Sequence, residues 1–213
     1  MAKQSKSKAP TQGSSKPTSS GAGDGQDAVE LLTADHRTVE QLFGQYESAE
    51  SSTQKAELAQ EICTELSVHT MLEEEIFYPA CREQGVEHEA LDDAQVEHDG
   101  VKVLISELMR HPVDSPFYDA KVRVLGSYVQ HHVSEEERSG EGVFARAAAS
   151  GVDMRALAAR LRQRKAELVK FSEGHGLRPP ALVSLDLTDE RRYLQQNVTH
   201  RGYDLERDKQ DAS

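Results

Sequence analysis

The sequence predicts an all-α fold, an up-and-down four-helix bundle with an additional C-terminal helix and a disordered N-terminal tail. Three observations lead there. Apolar residues recur in steps of three and four along four successive stretches, the period of helices that bury one stripe against their neighbours. Histidines fall on those stripes at nearly matched spacings, 33 residues from His36 to His69 and 34 from His98 to His132. Period-two alternation, the mark of a half-buried strand, is nearly absent, and an aromatic content of 5% with no Trp suits an aliphatic helical core.

Residues 1–25 are rich in Ser, Gly, Lys and Gln with almost no apolar side chain, so too little surface is buried to offset chain entropy and the segment is expected to be disordered. The first helix carries the seam Val29, Leu32, His36, Val39, Phe43, Tyr46, and the chain turns at Ser51-Ser52. Stepping four, three, four, three, the second helix gives Ala59, Ile62, Leu66, His69, Glu73. The third gives Leu91, Ala94, His98, Val101, Ile105, Leu108 and ends before Pro112, and the fourth gives Val122, Leu125, Val129, His132, Glu136. Gly140 and Gly142 mark a break soon after Glu136, which is expected to leave that side more open. Residues 152–171 read as a fifth amphipathic helix packing across the bundle, with Leu157, Leu161, Leu168 and Phe171 on one side and Arg160, Arg164 and Lys165 elsewhere. Pro179-Pro180 end regular structure, leaving 174–213 as a mostly irregular tail with one short helix around 189–196.

The polar positions on these seams coincide. A His four residues before a Glu places both side chains on one helix face, one turn apart, and this pairing occurs as His69/Glu73 and again as His132/Glu136. From His36 the chain runs 14 residues to Glu50 and 17 back from Ser52 to His69; from His98 it runs 14 to Pro112 and 16 back from Pro116 to His132. At about 1.5 Å per residue all four histidines reach one level. Four imidazoles and two carboxylates buried without partners would be costly, so the pattern points to a metal site on His36, His69, Glu73, His98, His132 and Glu136. His131 and Glu135 form a competing pair, turned about 100° from the seam.

These residues carry a resemblance. The stretches Ala34-Asp35-His36-Arg37, His69 to Pro79 (HTMLEEEIFYP), Glu97-His98-Asp99 and His132 to Glu137 (HVSEEE) resemble the hemerythrin-like HHE cation-binding domain family, over residues 27–148 and, with the fifth helix, a domain of 26–173. The resemblance implies a non-haem di-iron centre on the same six residues, with Glu73 and Glu136 as bridges. Two departures stand out. Oxygen-carrying hemerythrins place a further histidine one turn before the third-helix ligand, where this chain has Ala94; that implies fewer nitrogen ligands on one iron and argues against a carrier. After His132, the family's Phe-Pro arrives as Phe144-Ala145, behind an added Ser139-Gly140-Glu141-Gly142.

Mixed imidazole and carboxylate ligands without thiolate favour iron, manganese or zinc over copper(I), and bridging carboxylates favour a redox-capable pair. Two iron ions are the expected cofactor. Charge is uneven: residues 24–151 hold 27 acidic and 9 basic side chains, within a chain of net charge −12. Such a surface disfavours nucleic acid and attracts cations. The absence of a long apolar run predicts a cytoplasmic protein without a membrane partner. Cys63 and Cys81 lie 18 residues apart on one helix, about 27 Å, too far for a disulfide.

Three functional classes follow. The first is a protein that binds oxygen or a related small ligand, a diatomic or peroxide, in redox sensing or stress response. The second is an enzyme that processes peroxide or a nitrogen oxide at the same irons. The third is iron storage or sensing. Tyr46 and Tyr128 are candidate donors to bound oxygen species, and Glu74, Glu75, Glu135 and Glu137 form a charged face from which a partner for a ligand imidazole is expected.

Overall fold

Asp27 starts the first helix by a reciprocal cap. Its carboxylate accepts from the Glu30 backbone N–H at 3.0 Å, and the Glu30 carboxylate accepts from the Asp27 N–H at 2.9 Å, satisfying two donors that a helix start leaves over. From there the computed structural model, which describes residues 25–175 and 181–186, is helical almost throughout. The tail expected as disordered, apart from Gly25, and the short helix expected around 189–196 lie outside the described residues.

Four rods make the bundle. They are α1 (Ala28–Ser48), α2 (Ser52–Leu72), α4 (His88–Arg110) and α5 (Tyr118–Glu136), with α2 prolonged through a π-helical turn, Glu73–Phe77, into the short α3 (Tyr78–Glu83). α1 packs on α2, α2 on α4, α4 on α5 and α5 on α1, closing the ring that the up-and-down reading expects. α6 (Val143–Ala149) follows the break after α5, and α7 (Met154–His175) lies across α1 and α2. Leu157, Ala158 and Leu161 of α7 are buried, whereas Phe171, expected on the same side, is half exposed.

The apolar core is divided in two. One cluster includes Leu32, Leu72, Phe77, Leu91, Ala94 and Leu161; the other includes Val39, Leu66, Val101, Ile105, Leu125 and Val129. On three of the rods the seam histidine stands at the boundary, between Leu32 and Val39 on α1, Leu66 and Leu72 on α2, and Ala94 and Val101 on α4, while on α5 His132 lies at the end of the second cluster. The matched path lengths in the sequence thus become one polar layer between two apolar ones.

The π-helical turn has a local cause and a local consequence. Pro79 has no N–H, and its ring would press on the carbonyl four residues back in an ideal α-helix; widening the preceding turn relieves that contact. The Tyr78 N–H bonds the Glu73 carbonyl, five residues back. In an α-helix residue 78 would lie about 140° round from residue 73, but a five-residue closure returns it to the same side. Such turns gather at functional sites.

α5 stops at Glu136 because the chain reverses at once. The Gly142 N–H donates to the Arg138 carbonyl at 2.8 Å, and Gly140 adopts φ +77°, a region that glycine enters without strain. A Cβ on Gly142 would collide with the carbonyl oxygens of Glu135 and Glu136. The turn therefore lies flush against the end of α5, and α6 brings Phe144 back over the polar layer.

Candidate metal centre

All six seam residues face one another inside the bundle, each 5% exposed or less. The His36 and His69 Nε2 atoms are 3.0 Å apart, and those of His98 and His132 are 3.1 Å apart. Each carboxylate spans both pairs. Glu73 Oε2 lies 3.1 Å from His69 Nε2 and 3.2 Å from His98 Nε2; Glu136 Oε2 lies 3.4 Å from His132 Nε2 and 3.5 Å from His36 Nε2. Ligand atoms held about 2.1 Å from a common cation at right angles are separated by about 3 Å, so these spacings are those of donors around a cation. They form two adjacent sets, His36, His69, Glu73 and Glu136 in one and Glu73, His98 and His132 in the other, with donor atoms within 4.8 Å of one another in each set.

The polar bookkeeping says the same. Glu73 Oε1 and Glu136 Oε2 are buried without a hydrogen-bond donor, a costly state for a carboxylate oxygen. Facing imidazole nitrogens likewise compete for one proton unless a cation stands between them. The donor set therefore fits a pair of metal cations.

Three of the four outward nitrogens are held by carboxylates. His36 Nδ1 donates to Glu137 Oε1 at 2.7 Å, His98 Nδ1 to Glu74 Oε1 at 3.0 Å and His132 Nδ1 to Glu97 Oε2 at 2.9 Å. Asp35 Oδ2 faces His69 Nδ1 at 3.9 Å, beyond hydrogen-bond range. Each carboxylate meets a basic side chain in turn: Arg37 on Glu137, Lys102 on Glu74, Lys165 on Asp35 and His131 on Glu97. A proton on Nδ1 leaves the Nε2 lone pair pointing inward, as a metal ligand requires, and the carboxylate makes the ring more basic. The His131 side chain is itself 65% exposed, and Glu135 pairs with Arg138, so the competing pair faces away from the layer.

Tyr78 is the polar side chain that the seams do not contain. Its hydroxyl donates to Glu136 Oε1 at 2.9 Å and lies 3.3 Å from His98 Nε2 and 3.4 Å from Glu73 Oε2. Burial, with Glu136 and Glu73 nearby, holds the phenol well above its ordinary pKa, so it keeps its proton. The expected tyrosines are elsewhere: Tyr46 donates to Asp119, and Tyr128 is half exposed. On the far side the Phe144 ring stacks on His36 at 5.6 Å, which closes the side expected to be open. A cleft of about 630 Å³ between α4 and the end of α5 does reach Glu136, lined also by Asp93, Glu97, His131 and Gly142.

The model of the hemerythrin HHE cation binding domain matches residues 27–139, more than half of the chain. The chain belongs to the hemerythrin HHE cation-binding domain family. The family is one of cation-binding domains, and the buried donor layer of this chain fits that description. It is 28% identical over 105 residues to the uncharacterized proteins Rv2633c of Mycobacterium tuberculosis and Mb2666c of Mycobacterium bovis, covering 48% of this chain and 63% of theirs. The chain thus spans under two thirds of the length of these curated relatives. A crystal structure of a hemerythrin HHE cation binding domain-containing protein from Mycobacterium kansasii, a homolog of Rv2633c, shares the fold with a TM-score of 0.58 at 23% identity, over 71% of this chain and 95% of that one.

Within this hemerythrin-like domain, Ala94 is packed in the core one turn before His98, so α4 offers one imidazole at that level. Of the charged face, Glu74 and Glu137 hold ligand-facing imidazoles, while Glu75 pairs with Arg164 of α7. Glu97 and Asp35 were legible only as neighbours of His98 and His36. Cys63 and Cys81 are both buried, and burial pushes each thiol up to about 12, which leaves little thiolate for redox chemistry. No helix among the described residues is long and apolar enough to cross a membrane.

Proposed function

We propose that the protein holds two non-haem irons on His36, His69, His98 and His132, bridged by Glu73 and Glu136, and binds oxygen or a related small ligand in redox sensing or stress response. The observation that supports this most is the doubled donor set, in which each carboxylate reaches one imidazole of either pair. An iron pair, when bound, supplies one-electron redox chemistry and open positions for small oxygen or nitrogen species. The chain's own residues set the conditions. His36, His98 and His132 are oriented from behind by Glu137, Glu74 and Glu97, and the Asp35 carboxylate faces the outward nitrogen of His69. Tyr78 keeps a proton within reach of both halves.

That hydroxyl also favours a second reading, an enzyme that processes peroxide, because a fixed O–H donor can hydrogen-bond the charge that develops on a departing oxygen. One experiment separates the two. The near-ultraviolet spectrum of the iron-loaded protein is followed through anaerobic reduction and return of oxygen, and peroxide is added to a second sample. Bands that vanish and return support the binding protein. Gas evolution over many turnovers supports the enzyme, and a spectrum indifferent to oxygen removes the first reading.

A further inference from the structure

Residues 181–186 come back to the bundle after α7 and end on one buried carboxylate. The backbone N–H groups of Val183, Ser184 and Leu185 all donate to Asp99, at 2.9, 2.5 and 2.9 Å, and the Ser184 hydroxyl adds a bond of 2.8 Å. Three successive N–H groups aimed at one anion form a nest, a strong way for a backbone to hold negative charge. Asp99 is 0% exposed, and Lys102, 1% exposed, bonds it at 3.0 Å from the next turn of α4. The Lys102 ammonium also bonds Glu74, at 2.6 and 2.7 Å, and Glu74 holds His98 Nδ1 at 3.0 Å. A continuous run of charged hydrogen bonds thus joins the strap to one imidazole of the metal centre.

The connection is one-sided. The carboxylates behind His36 and His69 are held by Arg37 of α1 and Lys165 of α7, whereas the backbone donors of residues 183–185 converge on Asp99. The strap also lies outside residues 27–139, the part that matches the family. We propose that residues 181–186 are a positioning latch for the half of the centre made by His98 and His132: by fixing Asp99, the strap fixes Lys102 and Glu74 and keeps the His98 ring aimed at its cation. This rests on the two-metal reading. Removing a partner behind a metal-ligating imidazole lowers metal affinity about 10- to 100-fold, so loosening the strap should free one metal and leave the other in place.

The test is metal release from the full chain to excess chelator after loading with Co(II). Ser184→Pro removes the Ser184 N–H and hydroxyl donors from an exposed segment, so the bundle should fold as before. Leu185→Ala keeps every N–H and serves as the control. The latch requires one of the two metals to leave S184P about 10-fold faster or more, with the second unchanged and L185A like the natural chain. It also requires S184P to have no effect on the metal that remains in a His98→Ala background. Equal release from S184P and the natural chain, or equal acceleration of both metals, overturns it. If the natural chain holds only one metal, the two-metal reading fails, and the latch then requires that metal to leave S184P faster.

Discussion

Loading the centre with ferrous iron should release about two protons per chain at neutral pH. Metal-free, the six side chains share protons where cations would stand. Burial works against charge on His69, yet Glu73 and Asp35 push its pKa up to about 10. Burial opposes charge on His132 too, and Glu136 with Glu97 raises it well above the ordinary histidine value. His36, buried and beside the charged His69, drops to about 4. Burial alone would raise Glu73, but His69 and His98 hold it well below the usual carboxylate range. At pH 7, therefore, His69 and His132 each carry a proton that a metal must displace, while His36 and Glu73 carry none. The overall constant for loading two irons should then fall about 100-fold per pH unit on acidification, about 10-fold for each proton. Anaerobic titration calorimetry in two buffers of different ionisation enthalpy counts the protons directly. Release near zero would mean that His69 and His132 are neutral before the metal arrives, contrary to the charges assigned to them.

Further expectations follow from the same geometry. His98→Ala should lower iron from about two per chain to about one with the helical circular dichroism retained; unchanged iron content would show the donor set to be misassigned. Tyr78→Phe should keep both irons and destabilise the metal-free protein by about 1.5–3 kcal/mol, since Glu136 loses a hydrogen bond to a charged acceptor; a urea midpoint equal to that of the natural chain contradicts this. The metal-free protein should be most stable near pH 6.5. Below that value the lowered His36 loses its contribution down to about pH 4, and the lowered Glu73 does so only below 4.5; above it the raised His69 and His132 lose theirs as pH climbs toward 10; urea midpoints across that range that rise steadily with pH would count against the proton assignments. Gly142→Ala should cost about 1–3 kcal/mol and speed iron release, because its Cβ meets the backbone of Glu135, Glu136 and Arg138 rather than a movable side chain.

The bundle and its six inward donors could be read from the chain because both depend on helix period alone. His36, His69, Glu73, His98, His132 and Glu136 repeat in steps that any straight helix preserves, and equal path lengths bring them level. Tyr78 escaped that logic for a physical reason: five residues from Glu73, it reaches the centre only because a π-helical turn rotates it there. Pro79 was the available signal. Glu97, Glu74, Glu137 and Asp35 sit off the seam and meet an imidazole of a neighbouring rod, so their roles depend on how helices face one another. Phe144 closes the His36 side through a reversal that two glycines announce but do not aim. The bond between residues 183–185 and Asp99 lies furthest from legibility, since backbone N–H groups leave no mark in a sequence.

A centre for two irons is a matter of stoichiometry, and iron per chain measures it. Mass spectrometric metal analysis of protein purified from iron-supplemented cells should give about two irons per chain and little zinc or manganese. One iron or none, or full occupancy by zinc, would mean that the six side chains do not hold an iron pair.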